Sequence, residues 1–314
     1  MAAEFCEIWN IPKVPNPTPP YLHNPVNLGN YGTTAADAII NGAQPDAQRN
    51  PLPLPPQNVP FDHNFIPWNI NPIDRNDLQH PIVMPANATV TNRNKLMALS
   101  KLFLTQNQYS EDVVFMVNRV GDTIYYLDGH PGSPPGPVLN ANGQPAANQP
   151  GRYGIPFENI VAATVTQNLE KYFVFQSYSL LGSTQLVVRC EVDCVNPANN
   201  NALTEIKSRR GNPNYNRDYF RTVWEQMLFG CTESLVIGYH NFPNGNNPPT
   251  NFTNISTRTF AQVTQSAQLT PDDYDAMVGL ASLVEWIRDS VDPGETRVFS
   301  FNAAQQWFVL SAPM

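Results

Sequence analysis

Apolar and polar positions fall into a regular order only beyond residue 90. Before it, apolar side chains come singly among Pro and Asn, with neither a two-residue nor a 3.6-residue period. That stretch reads as extended segments and loops laid over a core, anchored by Trp9, Tyr21, Phe61, Phe65 and Trp68. From 91 to 104 ("TNRNKLMALSKLFL") Leu96, Leu99, Leu102 and Phe103 recur at helical spacing, with Thr91 as the expected cap. "DVVFMVNRVGDTIYYL" (112–127) alternates instead, and Gly121-Asp122 marks the turn of a hairpin. Gly and Pro crowd 129–150, an expected exposed loop. Strands follow at 172–180, 184–195 and 203–209. "NYNRDYFRTVWEQMLFG" (214–230) predicts a helix whose stripe is Phe220, Val223, Trp224, Met227 and Leu228, with Gly230 placed to stop it. A strand is expected at 234–240, then a helix capped by Thr270 with Pro271 at its first position, then strands in "TRVFSF" and "QQWFVLSA". Such a pattern predicts an α/β (α+β mixed) fold with central mixed sheets flanked by helices. It reads as a single domain over 1–314, with 1–90 wrapped on the core.

Composition narrows the classes. A chain of 314 residues that is 41% hydrophobic can bury a sizeable core. The N-terminus lacks a basic segment followed by an apolar run, and no apolar stretch is long enough to span a bilayer, so a soluble intracellular protein of the nucleus or cytoplasm is expected. Cys190 and Cys194 have no second cysteine pair or histidine at zinc spacing, and all four cysteines read as reduced thiols. The histidines are scattered, and no phosphate-cradling glycine motif occurs. The net charge of −8 opposes blanket affinity for nucleic acid, yet Lys207, Arg209, Arg210, Arg217 and Arg221 crowd into fifteen residues.

Just ahead of and overlapping that basic run stands "RCEVDCVNPANNNALTEIKSRR" (189–210), unusual in a chain only 14% charged. Strand alternation puts Glu191 and Asp193 on one face, and Glu205 with Lys207 on one face of a second strand, while Ile206 points the other way. Three carboxylates that meet need positive charge among them, and hard divalent ions such as Mg²⁺ or Mn²⁺ supply it. Two such ions suit an in-line phosphoryl displacement, with Lys207 on a phosphate or the attacking water. The spacing is the E-x-D…E-x-K pattern of PD-(D/E)xK-type nuclease cores; a pair of solvated amphipathic strands would give it too. Glu158, in "RYGIPFENIV", offers a fourth carboxylate, and Gln226 is offset enough from its helix's buried stripe to face a site.

"GIPFE", "CEVDC", "EIK" and "VWEQMLFG" come in the order and approximate spacing of the DXO family of RNA 5′-end decapping exonucleases, which includes the yeast nuclear partner of the 5′–3′ exoribonuclease. The chain resembles that family most closely over 154–240 and loosely elsewhere. The resemblance implies metal ligation by Glu158, Glu191, Asp193 and Glu205, with the Ile206 carbonyl as a further ligand or water anchor. It implies that Lys207 and Gln226 contact the scissile phosphate or the water, and Arg209, Arg210 and Arg217 are candidate RNA contacts. It further implies removal of triphosphate, incomplete or NAD-type caps, with 5′–3′ exonuclease activity in some members. The alternatives are a catalytically weak partner that stabilises an exoribonuclease, and a nuclease acting on DNA. One departure bears on the choice: a family arginine shortly after the first helix has Tyr109 as its nearest counterpart.

Overall fold

The computed structural model describes residues 4–7, 21–33, 39–58, 82–104, 113–127, 154–163, 171–211, 217–240 and 251–313. Their strands, in chain order, are β1 (Glu4–Glu7), β2 (Leu22–Thr33), β3 (Ile39–Asn41), β4 (Ala47–Gln48), β5 (Thr89–Asn92), β6 (Val113–Val120), β7 (Thr123–Leu127) and β8 (Ala162–Ala163). They continue with β9 (Lys171–Leu180), β10 (Thr184–Glu191), β11 (Cys194–Asn196), β12 (Ala202–Arg210), β13 (Ser234–His240), β14 (Phe252–Thr259), β15 (Thr296–Asn302) and β16 (Trp307–Ser311). The helices are α1 (Arg93–Lys101), α2 (Gly154–Val161), α3 (Arg217–Gly230), α4 (Phe260–Ala267) and α5 (Pro271–Ser290). A ten-stranded sheet runs β1-β16-β15-β6-β7-β5-β10-β9-β2-β3, and a six-stranded one β14-β13-β12-β11-β4-β8. Both mix parallel and antiparallel pairs, as in β10 with β5 and β9, and β12 with β13 and β11. The mixed α/β architecture expected from the pattern is therefore the one observed.

The largest apolar cluster joins Leu96 and Leu99 of α1, Trp224 and Met227 of α3, and Leu280 and Leu283 of α5 to Val188 and Cys190 of the large sheet. Tyr31, Val90, Phe173, Phe175 and Val187 form a second cluster. A third seats α2 on the small sheet through Phe157, Val161, Ile206, Val236 and Phe252. A Cβ on Gly238 would stand 2.6 Å from the Phe157 ring, so only a glycine lets α2 lie this close to β13. Polar bonds add a clamp between helices. Arg221 donates to Asp273 and to Glu225 (3.2 Å), Arg217 reaches Asp273 at 3.2 Å, and Ser100 donates to Glu225 at 2.7 Å. An apolar cavity of about 880 Å³ opens beside Tyr21, Trp224, Leu228, Phe260 and Tyr274. Among the described residues no helix is long and apolar enough to cross a membrane.

Several local expectations are corrected. The run 184–195 is not one strand. Val192 donates its N–H to Tyr172 (3.0 Å), Val195 donates to Asp46 (2.9 Å), and the chain leaves the large sheet for the small one between them. The cap of α1 is Asn92, the last residue of β5, whose Oδ1 accepts from Lys95 N at 2.8 Å; Thr91 lies one residue further back in the strand. Gly230 does not turn α3 off; Cys231 takes the left-handed conformation (φ 49°), while a Cβ on Gly230 would meet Thr232 at 3.0 Å and Arg93 at 3.4 Å. The N-terminal part contains more sheet than its pattern suggests, since β2 lies between β9 and β3. Two register shifts, at His23/Val26 and Asn27/Gly29, break its alternation and hide it from a period-two reading. Tyr21 is buried as expected, whereas Trp9, Phe61, Phe65, Trp68, Tyr109 and the loop 129–150 lie outside the described residues.

Candidate active site

The break between β10 and β11 builds the site. Antiparallel pairing of β11 with β12 begins at Cys194 opposite Thr204, so the Ile206 N–H lies beyond its reach. The Asp193 carboxylate takes that N–H at 2.5 Å, which ties the sheet-to-sheet crossing to β12. Glu191 ends β10 and meets Lys171 of β9 at 3.3 Å. Alternation along β12 puts Glu205, Lys207 and Arg209 on one face and the buried Ile206 side chain on the other, against Phe157 of α2. The last turn of α2 carries Glu158 to the same place.

Glu205 is the most deeply held acid, with 1% of its side chain exposed. Arg93, the first residue of α1, donates to it through Nη1 (2.7 Å) and Nη2 (3.4 Å), and Lys207 donates from Nζ. Burial alone would raise the Glu205 carboxyl, but these two cations hold it at about 2. Against the burial that would lower them, the Glu205 charge raises both Arg93 and Lys207 above their ordinary values, so Lys207 stays a cation. Asp193 and Glu158 behave in the opposite way. Burial and then the negative charge of Glu205 lift Asp193 well above the carboxylate range. Burial, Glu191 and Glu205 push Glu158 up to about 7, with Lys207 opposing them. Neither Glu158 nor Asp193 has an ion-pair partner among the described residues.

Gln226 is half-buried on α3 and shares a stripe with Tyr219, seven residues back, and Gly230, four residues on. Tyr219 lies within electrostatic reach of Lys207 and Arg209, and Gly230 packs against Arg93. The stripe thus flanks the carboxylates, and the apolar cavity opens on the opposite side of α3. Of the expected residues, Glu158 lies within electrostatic reach of Lys207, Glu191 and Glu205, and Asp193 within reach of Glu205, Lys207 and Glu158, with the Gln226 face of α3 alongside. Two of the expected basic residues stand apart. Arg217 is spent on Asp273 and the Gln268 carbonyl, and Arg210 is exposed on the Ile206 side of β12. Arg119 donates to the Arg288 and Val291 carbonyls. The arginine that the site does contain is Arg93, which the periodicity of α1 had hidden among its apolar positions. Its signal in the sequence was a lone cation between a strand and a capped helix, legible only once β12 was known to lie opposite.

These residues can be tested against the divalent ions expected from the sequence. Among the described residues no group of three or more His, Cys, Asp and Glu is already drawn together to hold a metal ion. The donor chemistry nevertheless fits. All four acids offer hard oxygens, and the raised Glu158 and Asp193 carboxyls mark a place short of positive charge.

No family model matches the chain, and no curated protein does. Solved structures do. Rai1 of S. pombe, in complex with 3′-FADP, superposes with a TM-score of 0.71 at 16% identity, covering 99% of each chain. Rai1 of Candida albicans, in complex with pU5 and Mn²⁺, gives a TM-score of 0.69 at 14% identity over 99% of this chain and 93% of that one. Dxo1 of K. lactis, in complex with manganese, gives 0.66 at 13% identity over 100% and 98%. Over nearly its whole length, then, this chain carries the fold of the Rai1 and Dxo1 proteins, in agreement with the resemblance of its motifs to the DXO family.

Proposed function

We propose that this chain is a divalent-metal-dependent hydrolase of RNA 5′ ends, removing triphosphate, incomplete or NAD-type caps and acting as a 5′–3′ exonuclease. The observation that carries this reading is the electrostatic reach of Glu158 to Glu191 and Glu205, and of Asp193 to Glu205 and Glu158, with both Glu158 and Asp193 raised and short of a cation. The fold shared with Rai1 and Dxo1 structures that hold pU5, 3′-FADP or manganese supports it.

The four carboxylates and the Ile206 carbonyl are the groups that would hold Mg²⁺ or Mn²⁺, and two such ions supply a water of lowered pKa and charge for the leaving oxygen. The chain's own residues do the rest. Lys207, a cation at every working pH, holds a phosphate oxygen and does not serve as a base. Arg93 keeps Glu205 ionised and oriented. Gln226 presents a carboxamide that can donate to the phosphate or accept from a water. Asp193 cannot rotate away without breaking its bond to Ile206 N–H, so the crossing itself keeps a ligand oriented.

The reading of an inactive exoribonuclease partner draws on the missing arginine near Tyr109, whose place Arg93, committed to Glu205, does not take. Purified protein is incubated with Mn²⁺ and 5′-triphosphate, capped or NAD-capped RNA, and products are resolved by chromatography. Turnover of at least one substrate, abolished in Glu191→Ala/Asp193→Ala with the fold intact, is expected. Absence of product from all of them with metal bound overturns the proposal, and cleavage of single-stranded DNA at an equal rate reassigns the substrate.

A further inference from the structure

Arg209 stands one strand step beyond Lys207 on the site face of β12, and its chemistry is unspent. Arg93 and Lys207 are committed to Glu205, Arg217 to Asp273, and Arg189 to the Tyr31 hydroxyl and the Phe173 ring. The Arg209 guanidinium lies over the Tyr219 ring, its carbon 4.0 Å from the centroid. Among the described residues it has no carboxylate and no carbonyl, and its Nη1 is buried without an acceptor. Directly across the parallel pairing, Tyr239 projects from the same face, and its buried hydroxyl also lacks an acceptor among the described residues. Both groups act on the Tyr219 hydroxyl, which burial pushes up to about 12, so that phenol keeps its proton.

Donors of this kind are costly to bury unsatisfied, a charged one most of all. Their proximity to Lys207 makes the missing partner an anion. Stacking on Tyr219 holds the planar fork in one orientation, which suits bidentate contact with phosphate oxygens. Two residues of strand span about 6.6 Å, comparable with one backbone repeat of an extended nucleic-acid strand.

We propose that Arg209, positioned by Tyr219 and helped by the Tyr239 hydroxyl, holds the phosphate next along the RNA from the one beside Lys207. The site then grips two consecutive backbone phosphates and distinguishes an RNA chain from a mononucleotide. This rests on the hydrolase reading above and adds to it the residue that recognises chain length.

The test is fluorescence anisotropy with a 3′-labelled, 5′-phosphorylated penta-uridylate in Ca²⁺, its integrity checked by gel, with uridine 5′-monophosphate as competitor. Arg209→Ala is expected to weaken the pentamer about tenfold while changing competition by the mononucleotide less than twofold. The slope of log Kd against log salt should fall by about 0.7, the share of one phosphate on a single strand. Arg209→Lys should recover part of the affinity, and Tyr239→Phe, which keeps the ring and the packing, should lose part of it. Unchanged pentamer affinity in Arg209→Ala, or equal weakening of both ligands, overturns the inference while leaving the hydrolase reading intact. A wild-type protein that binds neither ligand overturns both.

Discussion

Arg93 shows how one side chain sets the charge state of its neighbours. A buried Glu205 would be driven toward its neutral form, and the two cations bonded to it reverse that. Replacing Arg93 by Met leaves a buried carboxylate with Lys207 alone, and breaking such a pair typically costs about 3–5 kcal/mol. The lower end is expected here, because Lys207 remains; urea denaturation of wild type and Arg93→Met measures it, and Arg93→Lys should recover part of the loss. His240 is the counterpart on the basic side. Burial, with Arg210 adding to it, lowers the imidazole from 6.5 to about 4. Between those values the unfolded chain binds the proton and the folded one does not, so stability falls as pH drops through that window. In His240→Gln the denaturation midpoint should vary less between pH 6.5 and 4 than in the wild type. An equal slope in both proteins would show that His240 keeps its ordinary affinity for protons.

At the scale of elements, what could be read in advance was whatever repeats locally. The hairpin of β6 and β7, the stripe of α3, the strand β13 at 234–240 and the start of α5 all follow from periodicity and turn chemistry. Hidden features depend on partners distant in sequence. The bulges of β2 break its alternation, and the division of 184–195 between two sheets is decided by Tyr172 and Asp46, which no pattern around Val192 reveals. The candidate site shows the same divide. Its acids stand out by composition, since charges in strand-like runs are rare in this chain, whereas Arg93 and Tyr219 emerge only when α1 and α3 are laid beside β12. Gly238 carries an element-scale prediction. A methyl group there would stand 2.6 Å from the Phe157 ring and 2.8 Å from Phe252, so α2 must retreat from β13. Gly238→Ala should lose about 1–3 kcal/mol by overpacking. Because Glu158 follows Phe157 on that helix, it should also weaken Mn²⁺ binding, which a substitution confined to packing elsewhere would leave unchanged. Thermal melts with and without Mn²⁺ separate the two effects.

For the whole molecule, the two sheets meet where the chain crosses between them, and this crossing concentrates acids that neither sheet would tolerate in its interior. Arg93 and Lys207 neutralise Glu205 and Lys171 pairs with Glu191, which leaves Glu158 and Asp193 to repel one another through a buried region. A cation bound there relieves that repulsion, so binding should stabilise the folded chain as a whole. Mn²⁺ titrated into the wild type should raise Tm progressively, and Glu191→Ala/Asp193→Ala should show little or no rise. The pH dependence follows from Glu158, whose carboxyl stands at about 7 and must give up its proton to offer both oxygens. Below pH 7 protons compete with the ion; above pH 8 the carboxylate is already free. Affinity should therefore rise from pH 6 to pH 8 and level off beyond, with proton release on binding largest at pH 6. Calorimetry in buffers of different ionisation enthalpy counts those protons directly. Equal affinity at pH 6 and pH 8, with no proton released, would show that the ion binds without displacing a proton from Glu158 or the likewise raised Asp193, and the site would then have to be rebuilt around Glu191 and Glu205.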